Sequence, residues 1–535
     1  MTPDFEYLPA DLFGLDDLQR EALSANPTIE RLPGLTIPRQ MESVPVPVDP
    51  FDLDERADLA AKWELELSRL SPHVAVLDSV RAFAEPRTFA LLIQSPPHFC
   101  GGPLSVVYRV IHAIRTAKEL SKKWNASVIP VLWNDSDGHD LAPVRDLQLL
   151  NENFDLRRIT PAGLGSNRHP ISRIPLESNQ HRLSAIRELL RQEFVESAHR
   201  DEAIEAAFPR DGETLANAFT RWLLTVFGHL GLLVIEPDWV REELSRALAE
   251  AVSKKPPHGF EQSDNDDDAL LYRVTGEGRF ALNPGGDGYR FDSEVGSRTP
   301  SELAAVIVQN PSEWSSGPHL LPVLQERVMP VAARIGTWAQ WKEIVPLAEF
   351  RAQFEPGTIA PFIPALRATL IEPEIALALT KSELSLLKLL KSPPKSDSPK
   401  VTKSAPVSLK MRAISSKASA ELRALREETA NLDRGLSTHL KRTARKLDRM
   451  IDELAQRMDR CHANQGGHTD RRLRILYGAL LPHNRPQEEV LSSLPLLARY
   501  GRSPLLSLVD AVDCLPTEHL VIRLARSQGS PSYPE

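Results

Sequence analysis

The segment from Thr88 to Trp133 limits what this chain can fold into more than any other. An apolar run, Phe89–Ile93, leads into the turn Gly101-Gly102-Pro103-Leu104, and a second apolar run ends at Trp133. Between the turn and the second run, apolar residues recur at helical spacing. Strands that are apolar throughout are typical of parallel sheets covered on both faces. The segment therefore predicts a strand, a glycine turn, a helix and a second strand, the βαβ unit of an α/β domain.

The turn of this unit is a candidate anion site. Gly101 and Gly102 remove side chains where the first N–H groups and the positive dipole end of the helix face the sheet edge. Glycine can also serve there only to turn the chain, so both interpretations are open. The loop after the second strand, Asn134-Asp135-Ser136-Asp137-Gly138-His139-Asp140, adds a histidine and three carboxylates. Because ligands of open parallel sheets bind at this edge, a ligand site is predicted there.

Length and composition describe an ordinary globular protein. The chain has 535 residues, more than one core usually holds, with 41% hydrophobic and 25% charged residues. The first 23 residues lack the pattern of a secretory signal, and no apolar run approaches a membrane span, so we expect a cytoplasmic location and no membrane partner. The cysteines, Cys100, Cys461 and Cys514, show no metal-type pairing. No metal site is therefore predicted.

Charge is distributed unevenly along the chain. The net charge is −8, yet residues 401–474 hold 17 Lys or Arg against 9 Asp or Glu. A basic helical arm could bind nucleic acid, but no aromatic residues interleave with its cations. The alternative is a coiled coil, because an apolar face recurs at helical spacing and needs a charged, solvated face opposite. We favour the coiled coil on the basis of the apolar face formed by Leu432, Leu436, Leu440, Leu447, Ile451, Leu454 and Met458.

Two groups of motifs resemble one known family. The first runs from Leu92 to Asp140 and includes Gly101-Gly102-Pro103-Leu104, Pro130-Val131-Leu132-Trp133 and His139-Asp140. The second is the run from Leu480 to Glu489, followed by Tyr500-Gly501. In these motifs the chain resembles the bacillithiol biosynthesis cysteine-adding enzymes, the BshC family. The resemblance extends in order over nearly the whole chain.

The resemblance implies a fold and a reaction. The fold would be α/β, with a Rossmann-like parallel-sheet core similar to class I nucleotidylyltransferases, helical insertions, and a C-terminal helical coiled coil that makes a homodimer. The reaction would join the carboxylate of L-cysteine to the amine of glucosaminyl malate, the last step of bacillithiol biosynthesis. Forming an amide from a free carboxylate is uphill in water. The resemblance therefore also implies activation of the carboxylate, with ATP or ADP as the nucleotide.

The resemblance further suggests roles for individual residues. His139 would polarise the reacting oxygen or serve as acid or base, Asp140 would orient its ring or bind the cysteine ammonium, and Asp137 would complete the catalytic group. Each has a structural alternative, since a lone loop histidine is often structural and Asp140 can cap the following segment. The candidates for binding substrate or nucleotide are Gly101, Gly102, His98, Arg109, Gln325 and Arg367.

The chain also departs from the family pattern. Asp137-Gly138 stands where the family has Glu-Asp, and Gln94-Ser95-Pro96-Pro97 where it has a Gly-Gln-Gln run. Gln340 replaces a glutamate, and an arginine is displaced by two positions to Arg367, which keeps the same face of a strand. A second hypothesis therefore stands beside ligation. It is a diverged homologue without ligation activity, or a ligand-binding or assembly protein with a basic coiled coil.

Local patterns predict further elements. Helices are expected at Leu53–Leu70, Leu183–Phe194, Glu213–Phe227 and Arg241–Val252, with a strand at Leu230–Pro237. The stretch 256–301 is polar and Gly-rich, and its acidic run 262–268 predicts a solvated hairpin loop rather than half a calcium loop, because the glycine and glutamate of an EF-hand are missing. Seven segments follow: an N-terminal extension with helices (1–87), the first half of the core (88–150), a helical insertion (151–227), the second half of the core with inserted loops (228–391), a Pro/Lys/Ser-rich linker (392–417), a coiled-coil helix (418–465) and a C-terminal helical segment (466–535).

Overall fold

A computed structural model gives the fold. It describes residues 3–13, 16–23, 37–161, 168–174, 176, 180–255, 269–285, 288–291, 297–354, 360–382, 384–391, 406–429, 443, 447, 450, 451, 454, 455 and 471–525. The chain forms two compact units. One comprises Met1–Ala376 with Gly478–Glu535, and the other comprises Leu377–Tyr477. In the described part, no helix is both long and apolar enough to cross a membrane.

The elements are numbered in chain order. The strands are β1 Asp4–Leu8, β2 Thr88–Ser95, β3 Ser127–Asn134, β4 Leu147–Leu150, β5 Leu156–Ile159, β6 Leu233–Ile235, β7 Leu271–Thr275, β8 Gly278–Gly285, β9 Gly288–Phe291, β10 Ser297–Arg298, β11 Trp314–Ser316, β12 Val331–Gly336, β13 Phe362–Pro364, β14 Arg367–Ile371 and β15 His519–Arg523. The α-helices are α1 Asp17–Leu23, α2 Leu53–Ser68, α3 Val74–Phe83, α4 Leu104–Trp124, α5 Gln180–Glu193, α6 Arg200–Ala207, α7 Leu215–Phe227, α8 Arg241–Val252, α9 Pro300–Gln309, α10 Leu321–Val328, α11 Trp338–Ile344, α12 Ala348–Arg351, α13 Pro373–Ser382, α14 Leu386–Lys391, α15 Pro406–Thr429, α16 Arg471–Leu480, α17 Gln487–Val490, α18 Leu494–Tyr500 and α19 Ser503–Leu506.

A five-stranded parallel sheet forms the core. Its strand order is β13-β12-β2-β3-β6, and every neighbouring pair is parallel. The predicted βαβ unit is confirmed as β2, α4 and β3, with β2 and β3 paired in register from Thr88 opposite Ser127 to Ser95 opposite Asn134. The apolar run of β2 is buried throughout, as expected of a strand covered on both faces. The α/β core is therefore as predicted.

A second, antiparallel sheet lies within the segment 228–391. That segment was predicted to be the second half of the core with inserted loops, but β7 to β10 form strands there and join β11 in the order β10-β9-β8-β7-β11. Residues such as Leu271 and Tyr272 are buried by this pairing. The strands are short and their glycines resemble loop composition, so their local pattern is weak. The acidic run 262–268 lies outside the described residues.

A third sheet joins the two ends of the chain. In the order β1-β15-β14, β15 pairs antiparallel with β1 and parallel with β14. Segment 1–87 was predicted to be an extension with helices, and segment 466–535 was predicted to be helical. Each of them also contributes a strand to this sheet. In the insertion 151–227, predicted as helical, β5 pairs antiparallel with β4. These pairings are mostly distant in sequence, so no local periodicity reveals them.

The predicted helices are largely confirmed. Helices α2, α5, α7 and α8 match the expected ranges within a few residues, and β6 matches the strand expected at Leu230–Pro237. Helix α15 differs, because it begins at Pro406, inside the predicted linker 392–417. Most of the predicted coiled-coil helix beyond residue 429, and the glycine pair 466–467, lie outside the described residues.

Candidate active site

The glycine turn before α4 is packed against other side chains. A Cβ atom on Gly101 would lie 2.6 Å from the ring of Trp222, and one on Gly102 would lie 2.7 Å from the side chain of His98. The two glycines have φ of +86° and +73°, which residues with a side chain rarely adopt. Their conformation and packing support the structural alternative, in which the glycines turn the chain and admit two rings.

The first N–H group of α4 already donates a hydrogen bond within the protein. Leu104 N–H donates to the carbonyl of Leu491 at 2.9 Å, and Ser493 N–H donates to the carbonyl of Gly102 at 3.2 Å. The segment 491–493 thus lies across the start of α4. With the Cβ positions of the glycines also filled, this helix end as folded does not fit a nucleotide phosphate.

His98 and Arg109 lie close together beside this turn. Burial, with a smaller contribution from Arg109, lowers the pKa of His98 to about 3, so its ring is neutral at pH 7. Arg109 is buried although it carries a charge, and only 7% of its surface is exposed. It donates to the carbonyl of Gln94 and, at 3.4 Å, to the hydroxyl of Ser95. Arg109 therefore holds the end of β2, whereas its predicted ligand contact stays a prediction.

A group of polar side chains meets at the carboxyl edge of the parallel sheet. We call Gln94, Asp135, His139, Arg279 and Gln325 the edge cluster. Gln94 Nε2 donates to Asp135 Oδ2 at 3.1 Å, and Gln325 Nε2 lies 3.5 Å from Gln94 Oε1. Gln325 is fully buried and was a predicted binding residue. Its place beside Gln94 brings it to the same edge as the predicted His139.

Asp135 is the acid of the edge cluster. It follows β3 directly, and its N–H donates to the carbonyl of Ser95 at 2.9 Å. Burial raises the pKa of its carboxyl to about 6, with Asp137 adding to the effect and Arg279 opposing it. Among the described residues, Oδ2 accepts from Gln94, and Oδ1 accepts no hydrogen bond. This carboxyl can therefore change its charge near neutral pH.

Arg279 is the cation of the edge cluster and comes from β8. Its Nε donates to Ser315 Oγ at 2.9 Å, its Nη2 donates to the carbonyl of Ser316 at 2.5 Å, and its Nη1 lies 3.4 Å from His139 Nδ1. The guanidinium stacks on the ring of Tyr272, 3.6 Å from its centre. Such anchoring fixes the direction of the charge.

The other acids of the loop have different environments. Asp137 makes a two-point ion pair with Arg241, at 2.8 and 2.5 Å. Burial acts to raise the pKa of Asp137, but the charge and hydrogen bonds of Arg241 outweigh it and the pKa is lowered. Asp140 is exposed, and its Oδ1 accepts from the N–H of Ala142 at 2.9 Å, as in the capping alternative. Their predicted catalytic roles stay predictions, and neither carboxylate belongs to the edge cluster.

Arg367 lies in a different sheet. As the first residue of β14, it is 3.7 Å from Glu488 and its guanidinium stacks on Phe13 at 4.9 Å. Gln340, which stands where the family has glutamate, caps α11 by accepting from Thr337 N–H at 2.9 Å. The structure thus does not bring Arg367 to the edge cluster.

A buried acid also follows β6. The hydroxyl of Thr220 donates to Glu236 Oε1 at 2.6 Å, and Asn134 Nδ2 donates to that hydroxyl at 2.9 Å. Burial raises the pKa of Glu236 to about 7. Among described residues, no group of three or more His, Cys, Asp or Glu is placed to hold a metal ion.

The sequence missed the residues that complete the edge cluster. Asp135 lies in the loop that the motif singled out, so its position was available from the sequence. Gln94 ends the first apolar strand, and it was noted only as a departure from the family. Arg279 lies in the polar, Gly-rich stretch 256–301, 140 residues further along the chain than His139, and no local signal links the two.

A cavity lies at the opposite edge of the sheet. It measures about 560 Å³ and reaches Pro330, which precedes β12. Several of its charges are paired with one another, as in Lys62 with Glu243 at 2.7 Å and Arg327 with Glu250 at 3.0 Å. Ligands of parallel sheets bind at the carboxyl edge, so the edge cluster is the better candidate.

Comparison with known proteins places the chain in a family. Residues 49–360 match the family described as bacillithiol biosynthesis BshC, N-terminal Rossmann-like domain, and residues 368–524 match its C-terminal coiled-coil domain. A relative from Koribacter versatilis is 26% identical over 79% of this chain and 82% of its own, and one from Geobacillus thermodenitrificans is 23% identical over 84% and 86%. Both are named "Putative cysteine ligase BshC". A solved structure described as "putative arginyl t-RNA synthetase from Campylobacter jejuni" aligns over 85% of this chain and 98% of its own at 12% identity, but its TM-score of 0.26 is too low to relate the folds. On the family matches, which cover most of its length, the chain belongs to the bacillithiol biosynthesis BshC family.

Proposed function

We propose that this protein is a ligase that joins L-cysteine to glucosaminyl malate through an amide bond, the last step of bacillithiol biosynthesis. The observation that carries the proposal is the match of both family domains, in order, over residues 49–360 and 368–524. The names of the relatives support the same reaction. The edge cluster adds an acid, a histidine and an arginine at the edge where ligands of such sheets bind.

The reaction forms a bond between the carboxyl carbon of cysteine and the amine nitrogen. One water is lost between the carboxylate and the ammonium, and we propose ATP as the co-reactant whose hydrolysis takes up that water. The start of α4 does not supply its phosphate site. Arg279 Nη1 and His139 Nδ1, which lie 3.4 Å apart, are placed to stabilise negative charge on a carboxyl oxygen that contacts both.

The direct test is ligation by the purified protein. Cysteine, glucosaminyl malate and ATP are mixed with the protein, and the product is followed by mass spectrometry. We expect His139→Ala to lower the rate by roughly 100-fold or more, because a positioned acid–base group contributes about that much. His73→Ala is the matched control, because His73 caps α3 by accepting from the N–H of Ala75 at 3.2 Å and is not part of the edge cluster, so its loss should leave the rate nearly unchanged. Asp140→Ala tests separately whether the exposed, capping Asp140 takes part in the reaction.

Two outcomes would contradict the proposal. If the unaltered protein makes no product under conditions where the Koribacter versatilis relative does, the diverged-homologue hypothesis replaces ligation. If Asp140→Ala abolishes the reaction while His139→Ala does not, the assignment of the edge cluster is wrong.

We further propose that the enzyme works in the cytoplasm as a homodimer through its coiled coil. The apolar face between Leu432 and Met458 supports this, together with the match to the coiled-coil domain at residues 368–524. Cell fractionation tests the location, and recovery of the protein outside the cytoplasmic fraction would contradict it.

A further inference from the structure

We propose that Asp135 and Arg279 form the two ends of a binding site for an α-amino acid zwitterion. In this site Asp135 receives the ammonium group and Arg279 receives the carboxylate. The inference rests on the proposed function, because it states how the edge cluster would recognise cysteine.

The environment of Asp135 suits an ammonium group. One carboxylate oxygen is held by Gln94 Nε2 at 3.1 Å, which fixes the orientation of the group. The second oxygen accepts no hydrogen bond from any described residue, and no described Lys or Arg forms an ion pair with it. A largely buried carboxylate without a cationic partner is unfavourable by itself, and an incoming ammonium removes that penalty. An ammonium beside it also favours the ionised form of this carboxyl.

The environment of Arg279 suits a carboxylate group. Ser315, Ser316 and the ring of Tyr272 hold two of its nitrogens and one face of the guanidinium. The remaining nitrogen, Nη1, lies 3.4 Å from His139 Nδ1. Anchored guanidinium groups are well suited to bind carboxylates, because little side-chain freedom is lost.

Asp135 and Arg279 belong to the same cluster but do not pair. His139, which lies in the same loop as Asp135, is 3.4 Å from Arg279 Nη1, and each of the two charges shifts the pKa of the other. Among the contacts of the described residues, no nitrogen of Arg279 forms an ion pair with Asp135. Asp137 cannot pair with Arg279 in its place, because both of its oxygens are bound by Arg241. A molecule with one positive and one negative end would satisfy both groups at once.

Other classes of ligand fit the edge cluster less well. A phosphate would be repelled by Asp135, and a metal ion would be repelled by Arg279. An uncharged ligand would leave both charges without a partner of opposite charge. The pattern of one unpaired acid and one anchored base therefore favours a zwitterion.

The test is binding without catalysis, measured by titration calorimetry in the absence of ATP and amine substrate. The probes are L-cysteine, cysteamine, which lacks the carboxylate, and 3-mercaptopropionate, which lacks the ammonium. We expect Asp135→Asn to weaken cysteine and cysteamine about 10- to 100-fold and to leave 3-mercaptopropionate unchanged. Arg279→Gln should weaken cysteine and 3-mercaptopropionate and spare cysteamine, and Arg279→Lys should recover part of the loss.

The controls separate recognition from folding. Glu236→Gln changes another buried carboxyl, one held by Thr220, and should leave all three affinities unchanged. Thermal unfolding confirms that each variant is folded. Equal weakening of all three probes by Asp135→Asn, or the absence of cysteine binding to the unaltered protein, would overturn the inference. If each variant weakens only its own two probes but no ligation occurs, the proposed reaction is wrong and the binding site stands. If ligation occurs without this pattern of affinities, the proposed reaction stands and the binding site is wrong.

Discussion

Glu236 is a buried acid whose titration the fold has shifted. Burial raises its pKa from an ordinary value of 4.5 to about 7, while hydrogen bonds from Thr220 and Asn217 act in the opposite direction. The folded protein therefore keeps a proton on this group at pH values where the unfolded chain has lost it. The contribution of Glu236 to stability is present below about pH 4.5 and is lost as the pH rises through about 7.

This shift gives a prediction for Glu236→Gln, which cannot ionise. Relative to the unaltered protein, the free energy of unfolding of the variant should rise between pH 5 and pH 8 by up to about 3 kcal/mol. Each pH unit by which the pKa of Glu236 differs between the folded and unfolded protein is worth about 1.4 kcal/mol. Denaturant unfolding at the two pH values measures it. A difference that does not change with pH would contradict the burial of an ionisable carboxyl here.

Glu213→Gln is a matched control whose relative stability should change with pH in the opposite direction. Burial acts to raise the pKa of Glu213, but hydrogen bonding from Arg221 outweighs it, so the pKa is lowered. Its stabilising effect is present above the ordinary value and is lost as the pH falls. The relative stability of this variant should therefore improve toward acid pH, opposite to Glu236→Gln.

At the residue scale, the candidate site was only partly visible in the sequence. The loop motif pointed to His139. Among the three acids of the same loop, Asp135 is the one that lies in the edge cluster. The choice among Asp135, Asp137 and Asp140 depends on which of them Arg241 and Ala142 engage. Those partners are set by packing, which the sequence of the loop does not contain.

Helix α17 is attached to β14 by one side chain. Gln487 Oε1 accepts from the N–H of Leu370 at 2.7 Å, and its Nε2 donates to the carbonyls of Leu370 and Ala479 at 2.9 and 2.8 Å. All of these atoms are buried, so the amide satisfies three backbone groups that have no access to water. This contact holds the C-terminal segment that also crosses the start of α4.

We expect Gln487→Leu to lower the free energy of unfolding by about 3 kcal/mol, because it leaves buried backbone groups without partners. Gln353→Leu is a matched control. Gln353 makes the same two-point contact with the backbone of Lys255, at 3.1 and 3.0 Å, but in an exposed place where water can replace it. Its loss should be below about 1 kcal/mol. Equal losses for the two variants in denaturant unfolding would contradict the anchoring role.

Elements with strong local periodicity were predicted well. The βαβ unit and helix α8 follow from apolar patterns contained within each segment. The strands that were not predicted lack such a local pattern. Strand β15 pairs with β1 across almost the entire chain, and β7 to β10 have short, Gly-rich patterns. Pairing between distant segments decides those strands.

At the scale of the whole molecule, the proposed homodimer is open to direct measurement. Light scattering of the full chain should give twice the mass of one chain, because the apolar face of residues 432–458 needs a partner. A chain without residues 418–465 should give the mass of a monomer. A monomer mass for the full chain would contradict pairing between chains and favour a hairpin within one chain.

The α/β core, the family and the sheet edge at which a ligand site is expected could all be predicted from the chain. These follow from apolar periodicity, from motifs, and from the rule that parallel strands end at one edge. The surroundings of each residue in the Gly101–Leu104 turn and in the following loop depend on the folded protein. Packing filled the turn with the rings of Trp222 and His98, and it brought Arg279 from a distant strand to His139. The physical reason is that packing and charge pairing depend on neighbours in space, and a linear pattern records only neighbours in sequence.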